Sequence, residues 1–204
     1  MIYKLAAYRL CCPYSLPVSG FIAHLEQLTP LADATRAAVA GHCQTGRYRK
    51  RQQLLAAGQT GQHLYFVEQG LVKIFHLQEG REVVDWFSDA QTLFCTLPSF
   101  IAHQPSRCAI QLLEDSELTF ISLATLEALC LRFPDLAQWR LRWVEHVVLR
   151  LQDRHHARQE PSAARRYAGF SAEYPALLPR VPLGDLASYL GMTAVTLSRV
   201  RARG

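Results

Sequence analysis

Three hydrophobic periodicities follow one another along this 204-residue chain. Over residues 19–42 the apolar positions recur at helical spacing. Phe21, Leu25 and Leu28 share one face, and Leu31, Ala34, Ala38 and Val39 share another, with Pro30 opening the second segment. From 44 to 123 the texture changes to short runs rich in β-formers: LYFV (64–67), LVKIF (71–75), EVVDWF (82–87), CAIQLL (108–113) and LTFIS (118–122). Gly58, Gly61, Gly70, Gly80 and Pro98 punctuate them, which predicts many short strands closed into an antiparallel roll or jelly roll. After residue 123 the helical period returns. Residues 124–132 predict a short helix, and Phe133-Pro134-Asp135 opens a long one, with Asp135 near its positive end. Along it Leu141, Val144, Val148, Leu151 and His155 step by three and four, a heptad stripe flanked by Trp139, Trp143 and Val147. Such a stripe packs against the roll, a twin helix, or both. Glu160-Pro161-Ser162 ends this helix and reads as a hinge. Residues 163–174 predict a further helix stopped by Pro175, and Pro179 and Pro182 bracket the entry to the last segment.

That last segment, 182–204, reads PLGDLASYLGMTAVTLSRVRARG. Leu183, Leu186, Ala187 and Leu190 make one apolar face of a short helix, and Gly191 stands where a helix ends in a left-handed residue. Thr193 caps a second helix that turns Leu197 and Val200 inward and Ser198, Arg199 and Arg203 outward. A helical hairpin that closes a domain has the same outline. The small Ala187, the Gly turn and the basic second helix together favour a helix-turn-helix that lays a recognition helix in the DNA major groove.

Charge sharpens this picture. Residues 140–204 hold 11 of the 22 basic residues and only 5 of the 17 acidic ones, so the net charge of +5 originates in the last third. A phosphate backbone would attract that end of the molecule. Half of the residues are hydrophobic, a globular composition. No apolar run is long enough to span a bilayer, and residues 1–20 lack a clean signal-peptide core, so a cytoplasmic location with no membrane partner is expected. Six cysteines (Cys11, Cys12, Cys43, Cys95, Cys108, Cys130) form no C-x-x-C pair and read mostly as buried thiols. The eight histidines contain no H-x-H, which removes the metal-binding cupin pattern, and no metal site is expected. Nor is there a nucleophile elbow, P-loop or H-E-x-x-H, so no enzyme is expected.

The order of elements, and the stretches 54–75, 79–87, 105–122 and 186–201, resemble the Crp/Fnr family of bacterial transcription regulators. The resemblance implies a β-roll sensor, a dimer helix and a C-terminal DNA-binding motif. In cyclic-nucleotide-binding members a Gly-Glu pair and an Arg-Ser or Arg-Thr pair hold the cyclic phosphate and ribose. Here Cys95-Thr96 stands where Gly-Glu belongs, and Ser106-Arg107 where Arg-Ser belongs. The arginine is displaced by one residue, which on a strand turns it to the opposite face. No cyclic nucleotide is therefore expected, and Phe94, Cys95, Thr96, Ser106 and Arg107 line a candidate pocket for another small-molecule effector. Members of the family carry Arg-Glu at the start of the recognition helix and a further Arg four residues on. Ala194-Val195 and Arg199 occupy those positions, so an altered operator is expected, with Arg199 on guanine and Val195 against a thymine methyl. Too few residues follow for the β-hairpin wing, and Arg165, Arg166 and Arg180 are candidates to replace its phosphate contacts. Cys11, Cys12 and Cys43 do not supply the four ligands of an iron–sulfur cluster. Cys12-Pro13 resembles a haem-regulatory dipeptide, but a two-residue motif carries little weight and a proline after an exposed cysteine is the better explanation. Thiol redox sensing at Cys11, Cys12 or Cys95 is the remaining cysteine chemistry.

The sequence thus predicts an α+β chain: a cyclic-nucleotide-binding-like β-roll over 1–134, a dimerisation helix over 135–160 carrying Leu141, Val144, Val148 and Leu151, and a helix-turn-helix unit over 161–204. The expected function is a homodimeric, non-enzymatic regulator that binds a palindromic operator through Thr193, Ala194, Val195, Thr196, Ser198, Arg199, Arg201 and Arg203, with RNA polymerase as a further partner. The alternative is a β-roll ligand-binding or protein-interaction module that no longer binds DNA.

Overall fold

The computed structural model describes residues 18–203, Arg203 by its backbone alone. Cys11, Cys12 and the Cys12-Pro13 dipeptide lie outside the described residues. The chain opens with α1 (Val18–Glu26) and α2 (Asp33–His42). Eight strands follow: β1 (Gln44–Tyr48), β2 (Gln53–Leu55), β3 (His63–Gln69), β4 (Leu71–Gln78), β5 (Arg81–Asp89), β6 (Leu93–Phe94), β7 (Cys108–Leu112) and β8 (Ser116–Ser122), with α3 (Leu97–Ala102) between β6 and β7. They form two four-stranded antiparallel sheets, one ordered β1-β8-β3-β6 and the other β2-β7-β4-β5. Helices α4 (Leu123–Arg132), α5 (Pro134–Gln159), α6 (Ala163–Glu173), α7 (Leu183–Tyr189) and α8 (Ala194–Arg203) complete the α+β fold.

The apolar runs in the strands are continuous because both faces of each sheet are covered. On β3, Leu64 and Phe66 face a core built with α1, α2, α4 and α5, while Val67 faces the other sheet. On β4, Val72 and Ile74 point between the sheets, and Leu71 and Phe75 point outward. The outward side is roofed by the C-terminal helices: Phe170, Leu177, Val181, Leu186, Ala187, Leu190 and Leu197 share one cluster with Leu71, Phe75, Val84 and Phe87. Gly70 makes the β3–β4 crossing at φ +117°, and a Cβ there would stand 2.8 Å from the Cα of Ser116. Only glycine combines that backbone angle with that approach.

The long helix α5 is anchored at its start. Asp135 accepts from its neighbour Leu136 N and also from Ala32 N and Thr35 Oγ1 at the start of α2, whose own N-cap residue offers no side-chain acceptor. Burial pushes the Asp135 carboxyl up, but these hydrogen bonds outweigh it and hold the group below its ordinary range. Further along, Trp139 and Trp143 sink into the core, Trp143 edge-on to Phe100. Each buried ring contributes about 2–3 kcal/mol, well above the few tenths from surface pairs along a helix. The opposite face stays open: Leu141 is 60% exposed and Val148 54%. Of the heptad positions only Val144 packs against the core, so the stripe divides between the roll and solvent. Among the described residues no helix is long and apolar enough to cross a membrane.

Candidate nucleic-acid interface and the cavity beside the long helix

Helices α7 and α8 are joined by a turn whose hydrogen bonds follow from Gly191. At φ +65° it lets its own N–H reach Ser188 O, and Met192 N reach Ala187 O at 3.0 Å, closing the end of α7. Thr193 then caps α8: its Oγ1 accepts from Thr196 N at 3.1 Å. Leu197 is fully buried, and Val200 is half-buried. The opposite face is open, with Thr193, Ala194, Val195, Ser198, Arg199 and Arg201 all exposed and Thr196 half-buried. Val195, a valine 61% exposed on a polar face, is the one large apolar side chain in that row. The Arg203 side chain lies outside the described residues. Leu183 sits at the rim of the apolar face and is partly exposed.

Two arginines expected to reach phosphate are engaged within the chain. Arg166 donates from Nε to Leu190 O at 2.8 Å and from Nη1 to Glu160 O, tying the end of α7 to the segment after α5. Arg180 forks onto Glu114 at 2.9 and 2.6 Å and also donates to Gly70 O. That charge-assisted fork holds the Glu114 carboxyl below its ordinary range. Both arginines are structural clamps. Arg165 stays largely exposed, 3.8 Å from Glu160.

The unit is seated on the roll through polar contacts that the sequence reading missed. β5 is an edge strand, and Ser188 of α7 satisfies its free backbone groups, accepting from Val84 N and donating to Glu82 O, each at 3.0 Å. Lys73, buried on β4, pairs with Glu82 and with Asp185 of α7 at 3.1 Å. Arg154 of α5 donates to Val84 O at 3.0 Å and lies over the Tyr189 ring. No local spacing in the sequence marks the contacts to α7 and α5, because each joins residues about 70 to 112 apart along the chain.

Between the roll and α5 lies a cavity of about 400 Å³. Phe94, Cys95, Thr96, Ser106 and Arg107 all line it, together with Trp143, Val147, Leu151 and Arg154 of α5. Ser106 is buried and Arg107 exposed, but both precede β7, which begins at Cys108, so their opposite placement comes from the loop and not from the strand alternation expected of them. The polar groups where a phosphate cassette would lie are engaged with a neighbouring hydroxyl or with backbone. Thr96 Oγ1 donates to Ser99 Oγ at 3.0 Å, Ser99 Oγ donates to Gln104 O, and Ser106 Oγ accepts from Cys108 N. The Arg154 Nε is buried without a hydrogen-bond partner among the described residues.

The surroundings of Cys95 disfavour thiol chemistry. Cys95 is buried, and burial alone pushes its thiol far above the ordinary range, which suppresses the reactive thiolate. Burial likewise raises Cys43 to about 12. Strand pairing also produces one cluster that spacing within a strand cannot reveal. His76 on β4, Asp85 on β5 and Cys108 on β7 bring a nitrogen, an oxygen and a sulfur within 4.8 Å of one another.

Residues 45–133 match the model of the cyclic nucleotide-binding domain. The chain is 31% identical over 170 residues to the fumarate and nitrate reduction regulatory protein of Escherichia coli (strain K12), across 76% of this chain and 66% of that protein. The homologous Klebsiella oxytoca protein matches with the same identity and coverage. The chain thus spans just under two thirds of the length of these relatives. Among solved structures, FixK2 from Bradyrhizobium japonicum superposes with a TM-score of 0.68 at 22% identity, over 79% of this chain and 83% of that one. The c-di-GMP responsive global regulator CLP of Xanthomonas campestris gives 0.66 at 19% identity, over 84% and 91%. These two share its fold.

Proposed function

Because the chain belongs to the Crp/Fnr family of regulators, we propose that it is a homodimeric DNA-binding transcription regulator whose β-roll senses a small molecule other than a cyclic nucleotide. The observation that carries this reading is the open face of α8: a capped helix, held by a glycine turn, with Val195, Ser198, Arg199 and Arg201 exposed. Arg199 offers two parallel N–H donors to guanine O6 and N7, and Val195 offers a methyl surface to thymine. The positive excess in residues 140–204 supplies attraction to phosphate. Dimerisation through the exposed part of the α5 stripe, Leu141, Val148 and Leu151, brings two recognition helices to one duplex.

Sensing rests on the cavity beside α5. An occupant touches Trp143, Val147 and Arg154 on the helix, and Arg154 touches Val84 and Tyr189 in the seat of α7. Ligand binding therefore biases the position of the helix that sets the spacing of the DNA-reading units. Cyclic nucleotides are disfavoured because the Thr96 and Ser99 hydroxyl protons are already given to Ser99 Oγ and Gln104 O, and a buried phosphodiester needs donors in their place. In vitro selection from random duplex DNA tests the reading. Enriched sequences are expected to be twofold symmetric, with half-sites about one helical turn apart. Failure to enrich any sequence would sink it.

A further inference from the structure

We propose that His76, Asp85 and Cys108 form a binding site for a zinc-class divalent metal ion at the end of the sheet where β7, β4 and β5 run side by side. The three residues come from three neighbouring strands, with His76 directly opposite Cys108 in the β4–β7 register. Backbone pairing, and not the flexibility of one loop, sets their spacing. An imidazole nitrogen, a carboxylate oxygen and a thiol sulfur are a donor set suited to four-coordinate zinc.

Two of the three ligand spacings can be set against what such an ion requires, and the third, His76 nitrogen to Cys108 sulfur, is within 4.8 Å. Asp85 Oδ2 lies 2.6 Å from His76 Nδ1 and 3.4 Å from Cys108 Sγ. With metal–ligand bonds of about 2.0–2.3 Å, neighbouring ligand atoms of a tetrahedral ion lie roughly 3.3–3.7 Å apart. The sulfur–oxygen spacing already fits. The nitrogen–oxygen pair opens by roughly 0.7 Å as the ion takes the place of the proton between them. The other carboxylate oxygen, Oδ1, faces Arg154 at 3.5 Å. A cation there is the outer partner that fixes a ligating carboxylate, and it leaves Oδ2 directed at His76 and Cys108.

Binding moves two protons. His76 binds through a deprotonated Nδ1 as the neutral tautomer, so a proton held on Nδ1 in the empty site is transferred through solvent to Nε2 and none is lost from the ring. The Cys108 thiol proton goes to solvent. A doubly charged ion then meets one thiolate and one carboxylate, and the cluster is neutral beside Arg154. Asp85 and Cys108 also line the cavity, so the fourth position opens toward it and takes water or a donor atom of a molecule held there. The ion would thus sit on the path from the cavity through Arg154 to α7.

The test is titration of the metal-stripped full chain with cobalt(II), read by absorption. A thiolate-to-cobalt charge-transfer band with tetrahedral d–d bands is expected, both abolished by excess zinc. Cys108→Ser, which keeps the other five cysteines, is expected to lose the charge-transfer band. His76→Gln is expected to weaken cobalt binding at least tenfold while keeping every cysteine. Absence of a charge-transfer band in the unmodified chain would overturn the proposal, as would an unchanged band in Cys108→Ser. Should Cys108→Ser not fold, unchanged cobalt affinity in His76→Gln overturns it just as well. No DNA enters this experiment, so its failure leaves the DNA-binding reading untouched.

Discussion

His24 is held neutral by its surroundings. Its ring packs against Phe66 at 5.4 Å, and burial, reinforced by His146, lowers its pKa from 6.5 to about 4. The unfolded chain therefore binds a proton between about pH 6.5 and pH 4 that the folded chain refuses. Stability is full above the unfolded value and falls as pH drops through this window, by up to about 3 kcal/mol. Urea unfolding at pH 7 and pH 4 is expected to show this loss, to which His63 and His146, also lowered by burial, contribute, and His24→Leu to reduce it. An equal loss in the variant would assign the pH dependence elsewhere. Other single residues show how far a sequence exposes a role. Arg166 and Arg180 have the charge of phosphate contacts, and only the fold reveals that backbone carbonyls and Glu114 occupy them. Cys95 has the chemistry of a redox thiol, and only its burial denies it.

Elements were legible where their signal is local. The α7–α8 pair was readable because apolar spacing, Gly191 and the Thr193 cap all lie within 23 residues. The long α5 was readable from its heptad stripe. Strands β2 and β6, of three and two residues, and α3, of six, are too short for any periodicity to register. The stripe on α5 could not by itself assign its two sides. The structure buries Trp139 and Trp143 and leaves Leu141, Val148 and Leu151 at the surface. Those exposed apolar positions carry the dimer prediction. Leu141→Glu with Val148→Glu places like charges across a twofold helix pair while leaving the monomer's core alone. Sedimentation is expected to shift from dimer to monomer with the thermal midpoint of the monomer fold retained. A dimer that persists would move the interface elsewhere.

At the scale of the molecule, the same sheet serves two structures. One face of the β2-β7-β4-β5 sheet packs inside the roll, and the other seats the C-terminal helices. Lys73 and Ser188 make that seat specific, and neither is marked in the sequence, because contact between a strand and a helix about 100 residues away leaves no local pattern. Phe94, Cys95, Thr96, Ser106 and Arg107 of the cavity follow from the resemblance, whereas Trp143, Val147 and Leu151 do not. Nor does Arg154, which joins the cavity to the seat, since an arginine on a long polar helix reads as a solvated charge. The seat leaves the outer face of α8 open, so the proposed DNA-reading face and the face docked on the roll are opposite sides of one small unit. The measurement that bears most directly on this account is the affinity of the full chain and of Arg199→Ala for a selected operator and for its single-base variants. A loss of about 1–3 kcal/mol, roughly 5- to 150-fold, is expected, together with relaxed discrimination at one position of each half-site. Unchanged affinity and unchanged discrimination in Arg199→Ala would contradict the placement of α8 in the major groove.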